Sequence, residues 1–245
     1  MIFGYCDLDA KKLGFLPAVV FMDNISTYYD ALAPDYDQSR FGNAYGQFIH
    51  RQERQVLAKL LRGISPEHVL DLACGTGRMI EFAETGCDFS TQMLAEARQK
   101  HPSKNLIQGD ATQLPFANEA FAAIFSLHFF MHLDAATSSA ALAEAYRVLR
   151  PGGRLIFDFP SAKRRKITGG HHGQNWHGSN AMSLEKVSNL TTNYWQVIES
   201  QGILFFPIHR IPASLRTALL PFDTVLCRSF LKEYASYVLV CLQKK

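Results

Sequence analysis

The sequence predicts a single α/β domain built on a parallel sheet with helices on both faces. Three observations carry that expectation. Short apolar runs alternate with helical stretches from His68 to Phe159. The first run passes straight into the glycine loop of VLDLACGTG, Val69 to Gly77. Two later runs end in carboxylates, Asp88 and Asp110, at the strand ends where open α/β sheets bind ligands.

The 245 residues are 47% hydrophobic and 19% charged. A chain of that size buries enough surface to need no disulfide or metal staple. Composition excludes disorder, collagen and coiled coil. No apolar run reaches the roughly 18 residues of a membrane-spanning helix. The five cysteines form no CxxC pair, which fits a reducing, cytoplasmic compartment. Leu13 to Met22 is apolar after Lys11 and Lys12, but it holds Pro17 and no cleavage site follows, so it does not read as a secretion signal. Residues 1–21 read as an extension outside the fold, 22–62 as an N-terminal helical cap, and 63–245 as the main domain. That domain divides into a core at 64–160, a loop or lid at 161–183 and a C-terminal part at 184–245.

Net charge is +3, unevenly spread. Residues 161–245 carry 11 basic and 4 acidic side chains, residues 63–160 carry 7 and 11. A basic segment favours anionic ligands or surfaces.

Ile25 to Arg62 reads helical, broken into pieces at Asp35, Gly42 and Gly46. His68 to Leu72 is the first strand and Cys87-Asp88-Phe89 a second. Ser90 caps the helix TQMLAEARQK. Asn105 to Gln108 and Phe121 to Leu127 are the third and fourth strands, followed by an amphipathic helix from Ala135 to Leu149. Pro151-Gly152-Gly153 is a tight turn before a fifth strand, Arg154 to Phe159. Glycines among Lys, Arg, His and Asn make 161–183 a long loop. Helical character returns from Leu184 to Ser200. ILFFPIHRI reads as a strand, Ala213 to Leu231 as a helix and SYVLVCLQ as a closing strand.

Gly75 and Gly77 let the backbone turn sharply and approach a ligand, and a helix starting near Arg78 would aim its N–H groups at that ligand. Asp88 is placed to accept from both ribose hydroxyls and Asp110 from an adenine amino group. Together these favour a nucleoside. The dinucleotide fingerprint needs a third glycine where Ile80 stands.

VLDLACGTGR, CDFSTQMLAEAR, GDATQLPF and AYRVLRPGGRLIF, in that order over residues 64–160, resemble the class I S-adenosylmethionine-dependent methyltransferases of small-molecule type. The resemblance implies a seven-stranded Rossmann-like sheet, with the strand, helix and strand of the tail supplying its antiparallel seventh strand. It implies S-adenosyl-L-methionine as cofactor. Asp71, Ala73, Cys74, Gly75 and Gly77 would line its methionine part, and Asp88 would hold the ribose with Phe89 and Met93 beside it. Asp110 and Ala111 would flank the adenine, and Ser126, Leu127 and His128 would lie next to the sulfonium. Ala73 stands where the family often has Gly. Asp71 and Asp88 lie only 17 residues apart, so the first crossover helix or the second strand is expected to be short.

Ser126-Leu127-His128-Phe129 lacks the Asn/Asp-Pro-Pro-aromatic run of amino-group methyltransferases, which argues against exocyclic amines of nucleic acid. The expected acceptor is an oxygen or carbon of a small molecule, lipid or quinone-like. His128, ahead of His132, is the candidate base, since imidazole changes charge near neutral pH; the plainer reading is that both shape the pocket. Tyr28, Tyr29 and Tyr36 sit in a segment that folds over the cofactor in similar proteins, with Tyr36 the expected contact. His171, His172, His177 and Trp176 would form a lid or a plain surface loop. They lack the Cys or carboxylate help a zinc site needs, so no metal is expected.

In the helix from Ala213, the stripe Leu215, Leu219, Phe222 and Leu226 is expected to pack on the core, bent at Pro221. The alternative is a basic amphipathic element meeting a lipid or anionic substrate at a membrane surface. Three other functions stay open: a non-catalytic S-adenosylmethionine-binding protein, a nicotinamide-dependent oxidoreductase and a nucleic-acid binder.

Overall fold

The computed structural model describes residues 27–169, 180–191 and 193–245, with the side chain of Ala213 left aside. The extension at 1–21 and the histidines of the 171–177 loop lie outside the described residues.

Seven strands form one sheet: β1 Val69–Leu72, β2 Thr85–Asp88, β3 Asn105–Gln108, β4 Phe121–Ser126, β5 Leu149–Pro160, β6 Trp195–Ile203 and β7 Tyr237–Lys244. Their order is β3-β2-β1-β4-β5-β7-β6. The first five run parallel, and β7 inserts antiparallel between β5 and β6. The chain reverses direction across the sheet between β1 and β4, and a crevice opens there at the carboxyl ends.

Both faces of the sheet are buried, so its strands alternate between two apolar layers. Leu155 and Phe157 of β5 and Val238, Val240 and Leu242 of β7 enter one layer. Helix α4, Ala135–Val148, covers that layer with Ala141, Ala145 and Val148. Ile156, Leu239 and Cys241 point the other way. They meet Val56, Leu57 and Leu60 of α2, Ala44–Leu60, and Leu94 and Ala97 of α3, Thr91–Lys100, belong to the same layer. Ser90 starts α3 as the sequence predicts, its side chain accepting from the Met93 N–H at 3.0 Å.

The cap is helical at 27–32 and again in α1, Tyr36–Phe41, before α2. Gly46 does not break it. It lies inside α2, which begins at Asn43, whose side chain accepts from the N–H groups of Tyr45 and Gly46. A Cβ on Gly46 would stand 2.1 Å from the Arg40 carbonyl oxygen, so the glycine lets α1 and α2 meet at a close corner.

Four expectations are corrected beyond the core. The loop expected at 161–183 contains α5, Ala162–Thr168, started by the Ser161 hydroxyl accepting from the Arg164 N–H and ended by left-handed Gly169. The helix from Leu184 stops at Thr191 as α6, and Trp195 onward becomes the edge strand β6, because pairing with β7 from Trp195 to Ile203 outweighs local helical preference. ILFFPIHRI is not a strand: it leaves the sheet at Ile203 and ends in a 3-10 turn, Ile208–Arg210. Helix α7, Ala213–Arg228, turns its Leu215, Leu219, Phe222, Leu226 stripe away from the core. Leu215 is 55% and Phe222 66% exposed, whereas Asp223 and Cys227 are fully buried. The inward face is fixed by Asp223, which accepts from Gln52 Nε2 at 2.6 Å and from the Phe206 N–H at 2.7 Å.

Candidate active site

A cleft opens at the carboxyl ends of β1, β2 and β4, beside a second, smaller space. Tyr36, Ala73, Gly75, Leu127 and His128 border both. The loop after β1 bends with positive φ at Ala73, Gly75 and Gly77. Space beside the Gly75 Cα is empty to 4 Å, so its backbone faces the cleft bare. No α-helix begins near Arg78. The chain passes through turns into a 3-10 turn, Ile80–Phe82, so the expected cluster of helix N–H groups is not there. Residues 73–84 must hold both the loop and the crossover, which leaves no length for a regular helix.

Asp88 stitches the site together. Its Oδ2 accepts from the Gly75 N–H at 2.7 Å and its Oδ1 from the Ser90 N–H at 2.9 Å, tying the loop after β1 to the start of α3. Burial pushes its carboxyl above the ordinary range against those hydrogen bonds. Phe89, Met93, Ala111 and Leu127 supply apolar walls. Asp71 and Cys74 border the smaller space, and burial drives the Asp71 carboxyl well up.

The cap roofs the cleft. Tyr29 and Tyr36 line it, and the Tyr29 hydroxyl lies 2.9 Å from His132 Nε2. The Ser90 hydroxyl donates to Asp30, and the Thr76 hydroxyl donates to Asp37 at 2.6 Å. Tyr28 is not among the lining residues.

Three expected site residues stand outside the lining. Asp110 turns Oδ1 onto the N–H and hydroxyl of Thr112, closing its own turn, while its neighbour Ala111 faces the cleft. Ser126 is fully buried within β4. Gly77 packs beneath His101, whose ring would stand 2.8 Å from a Cβ there.

His128 borders both spaces, yet its surroundings were not legible from its own neighbours in sequence. Nε2 lies 2.6 Å from Glu53 Oε1 of α2, and Nδ1 lies 3.4 Å from Asp158 Oδ2 of β5. The other Glu53 oxygen takes Arg78 at 2.7 Å, and that guanidinium stacks 4.0 Å over Phe41. Glu53 and Asp158 are 2% and 3% exposed. Burial opposes charge on Glu53, but Arg78 and His128 hold its carboxyl down to about 2. Burial likewise opposes charge on His128, and the two carboxylates raise it above its ordinary value. Burial keeps Asp158 raised. His128 also takes φ +59°, costing roughly 1–2 kcal/mol for a non-glycine residue, and its N–H donates to Asp158 Oδ1 at 2.6 Å to hold it there. The one available signal was a carboxylate, Asp158, inside the continuously apolar run of β5.

Residues 70–157 match the family described as a methyltransferase domain. That stretch is therefore similar to a methyltransferase domain, and the order of the seven strands is the one the resemblance in the sequence implies. It is 37% identical over 140 residues to a demethylmenaquinone methyltransferase of Paenarthrobacter aurescens (strain TC1), over 55% of this chain and 54% of that protein. The chain spans about half the length of the curated relatives it matches. Magnesium protoporphyrin IX methyltransferase from Synechocystis PCC 6803 with bound SAM superposes with TM-score 0.64 at 14% identity, over 96% of this chain and 100% of that one. Geranyl diphosphate C-methyltransferase from Streptomyces coelicolor A3(2) does so with TM-score 0.62 at 17% identity, over 94% and 100%. At such identities the structural likeness speaks for the fold.

Proposed function

We propose that the protein transfers a methyl group from S-adenosylmethionine to an oxygen or carbon of a small, lipid or quinone-like acceptor, in the cytoplasm. The observation that carries this is Asp88, a half-buried carboxylate anchored by Gly75 and Ser90 at the rim of an apolar slot. A nucleoside sulfonium fits that donor set. Asp88 suits the ribose hydroxyls, Phe89, Met93 and Ala111 an adenine ring, and Asp71 with the bare backbone at Gly75 the amino-acid end. Asp110 keeps a flanking place at most, through its Thr112 turn.

The cofactor, when bound, supplies an already activated methyl carbon, so the chain's own work is to orient the acceptor, keep water out and hold a proton. Tyr29 and Tyr36 exclude water as the roof. Each nitrogen of His128 faces a carboxylate, which suits it to position the loop after β4 rather than to accept a proton from substrate. His132, in contact with the Tyr29 hydroxyl at the cleft wall, is the better-placed base. The quinone-like acceptor is supported by the naming of relatives such as that of Paenarthrobacter aurescens. The basic C-terminal third is the part of the chain suited to meet a lipid.

Calorimetric titration tests this. Binding of S-adenosylmethionine and S-adenosylhomocysteine without binding of NADH is expected, and labelled methyl transfer to a demethylated quinol follows. NADH binding in place of the sulfur nucleosides would return the domain to the oxidoreductases.

A further inference from the structure

Helix α7 is amphipathic with its apolar side outward. At 3.6 residues per turn, Leu215, Ala218, Leu219, Phe222, Val225 and Leu226 fall within an arc of roughly 120°. Leu215, Phe222 and Val225 are 55%, 66% and 67% exposed, and Phe230 in the turn beyond is 90% exposed. This orientation is locked from behind: Asp223 is wholly buried on the hydrogen bonds from Gln52, Phe205 and Phe206. Rotating the helix to hide the stripe would expel that carboxylate and orphan its donors, so the apolar face is a built feature. Exposed apolar patches of this kind mark interaction surfaces.

The exposed charges along the helix and its flanking turns have one sign. Residues 204–232 contain Arg210, Arg216, Arg228 and Lys232, and the single acidic residue, Asp223, is the internal anchor. Arg210 and Arg228 are exposed. A second copy seated on this face in a two-fold pair would bring the same cations against each other. An apolar stripe bordered by cations matches an anionic bilayer, where such helices lie with their apolar side about 5–10 Å into the headgroup boundary.

We infer that α7 and the turn after it dock the protein on an anionic lipid surface, Leu215, Phe222, Val225 and Phe230 entering the acyl boundary and Arg210 and Arg228 meeting lipid phosphates. No helix among the described residues is long and apolar enough to cross a membrane. Gln52, which holds Asp223, is followed directly by Glu53, which holds His128, so α2 ties the docking helix to the cleft.

The test is co-sedimentation of the full chain with phosphatidylcholine vesicles with and without phosphatidylglycerol, at low and high salt. Retention that needs phosphatidylglycerol and falls with salt is expected. The Phe222→Ser, Phe230→Ser double variant should weaken it about tenfold or more, and Arg210→Glu with Arg228→Glu should abolish the lipid-charge dependence. Both variants alter exposed side chains and should bind S-adenosylhomocysteine as the parent does, which separates this inference from the methyl-transfer proposal. No retention on phosphatidylglycerol vesicles, or retention unchanged by the Phe222/Phe230 pair, would overturn it. So would a dimer in solution that the same pair splits while vesicles are ignored.

Discussion

Glu53 of the cap helix and His128 of the loop after β4 lie 2.6 Å apart, a buried carboxylate against a half-buried imidazole at the edge of the cleft. Glu53 also takes Arg78 from the crossover after the glycine loop. The pair therefore sets the height of the cap over the site as well as the conformation of His128.

Removing one partner of a buried pair leaves the other uncompensated, at roughly 3–5 kcal/mol. Glu53→Gln is expected to lower the unfolding free energy by about that much in denaturant titration, and Arg78→Gln by a similar amount. A loss within the range of a surface substitution would show that the cap is held by apolar packing alone.

The same pair predicts the pH dependence. Glu53 is depressed from 4.5 to about 2, so its contribution is present above 4.5 and is lost as pH falls toward 2. His128 is raised above 6.5, so its contribution is complete below 6.5 and is lost as pH rises through the raised value. Asp158, also facing His128, is raised by burial and weakens the ionised side of the cluster. Melting temperature should therefore fall on the alkaline side in the parent and less steeply in Glu53→Gln. Parallel curves would remove His128 from the account.

Asp88→Ala strips Gly75 and Ser90 of their acceptor and the slot of its carboxylate. S-adenosylhomocysteine binding is expected to weaken by about a hundredfold, near 3 kcal/mol. His132→Ala should leave that binding nearly unchanged. Equal losses in the two would mean that the assigned roles are wrong.

For turnover the order reverses. His132→Ala and Tyr29→Phe should each reduce kcat, the former by about a hundredfold or more as expected for loss of a base. Undiminished kcat in His132→Ala would leave acceptor activation to the substrate's own acidity.

Gly46→Ala would set a methyl group 2.1 Å from the Arg40 carbonyl oxygen and 2.6 Å from the Phe41 Cα. A destabilisation of about 1–3 kcal/mol is expected despite alanine's better helix propensity. A stabilised variant, measured by thermal unfolding, would mean that the α1–α2 corner yields freely.

Wherever a few adjacent residues decide the outcome, the sequence was enough. Ser90 starts α3, the apolar run Asn105–Gln108 is β3, and the glycines after Leu72 bend toward a ligand edge whose carboxylate is Asp88. The sheet class and the place of the cleft follow from those local features. Capping, alternation and backbone freedom act over a handful of residues, so they are written where they act. Tertiary structure decided the rest. Trp195–Ile203 is a strand because β7, some forty residues on, offers a ladder to pair with. The stripe of α7 faces outward because a buried Asp223 finds Gln52 and the Phe206 N–H on its other side. His128 is clasped by Glu53 and Asp158 because α2 and β5 meet over the loop after β4. Each of these rests on hydrogen bonds and charges between distant segments, whose strength depends on burial and approach that only the folded chain creates.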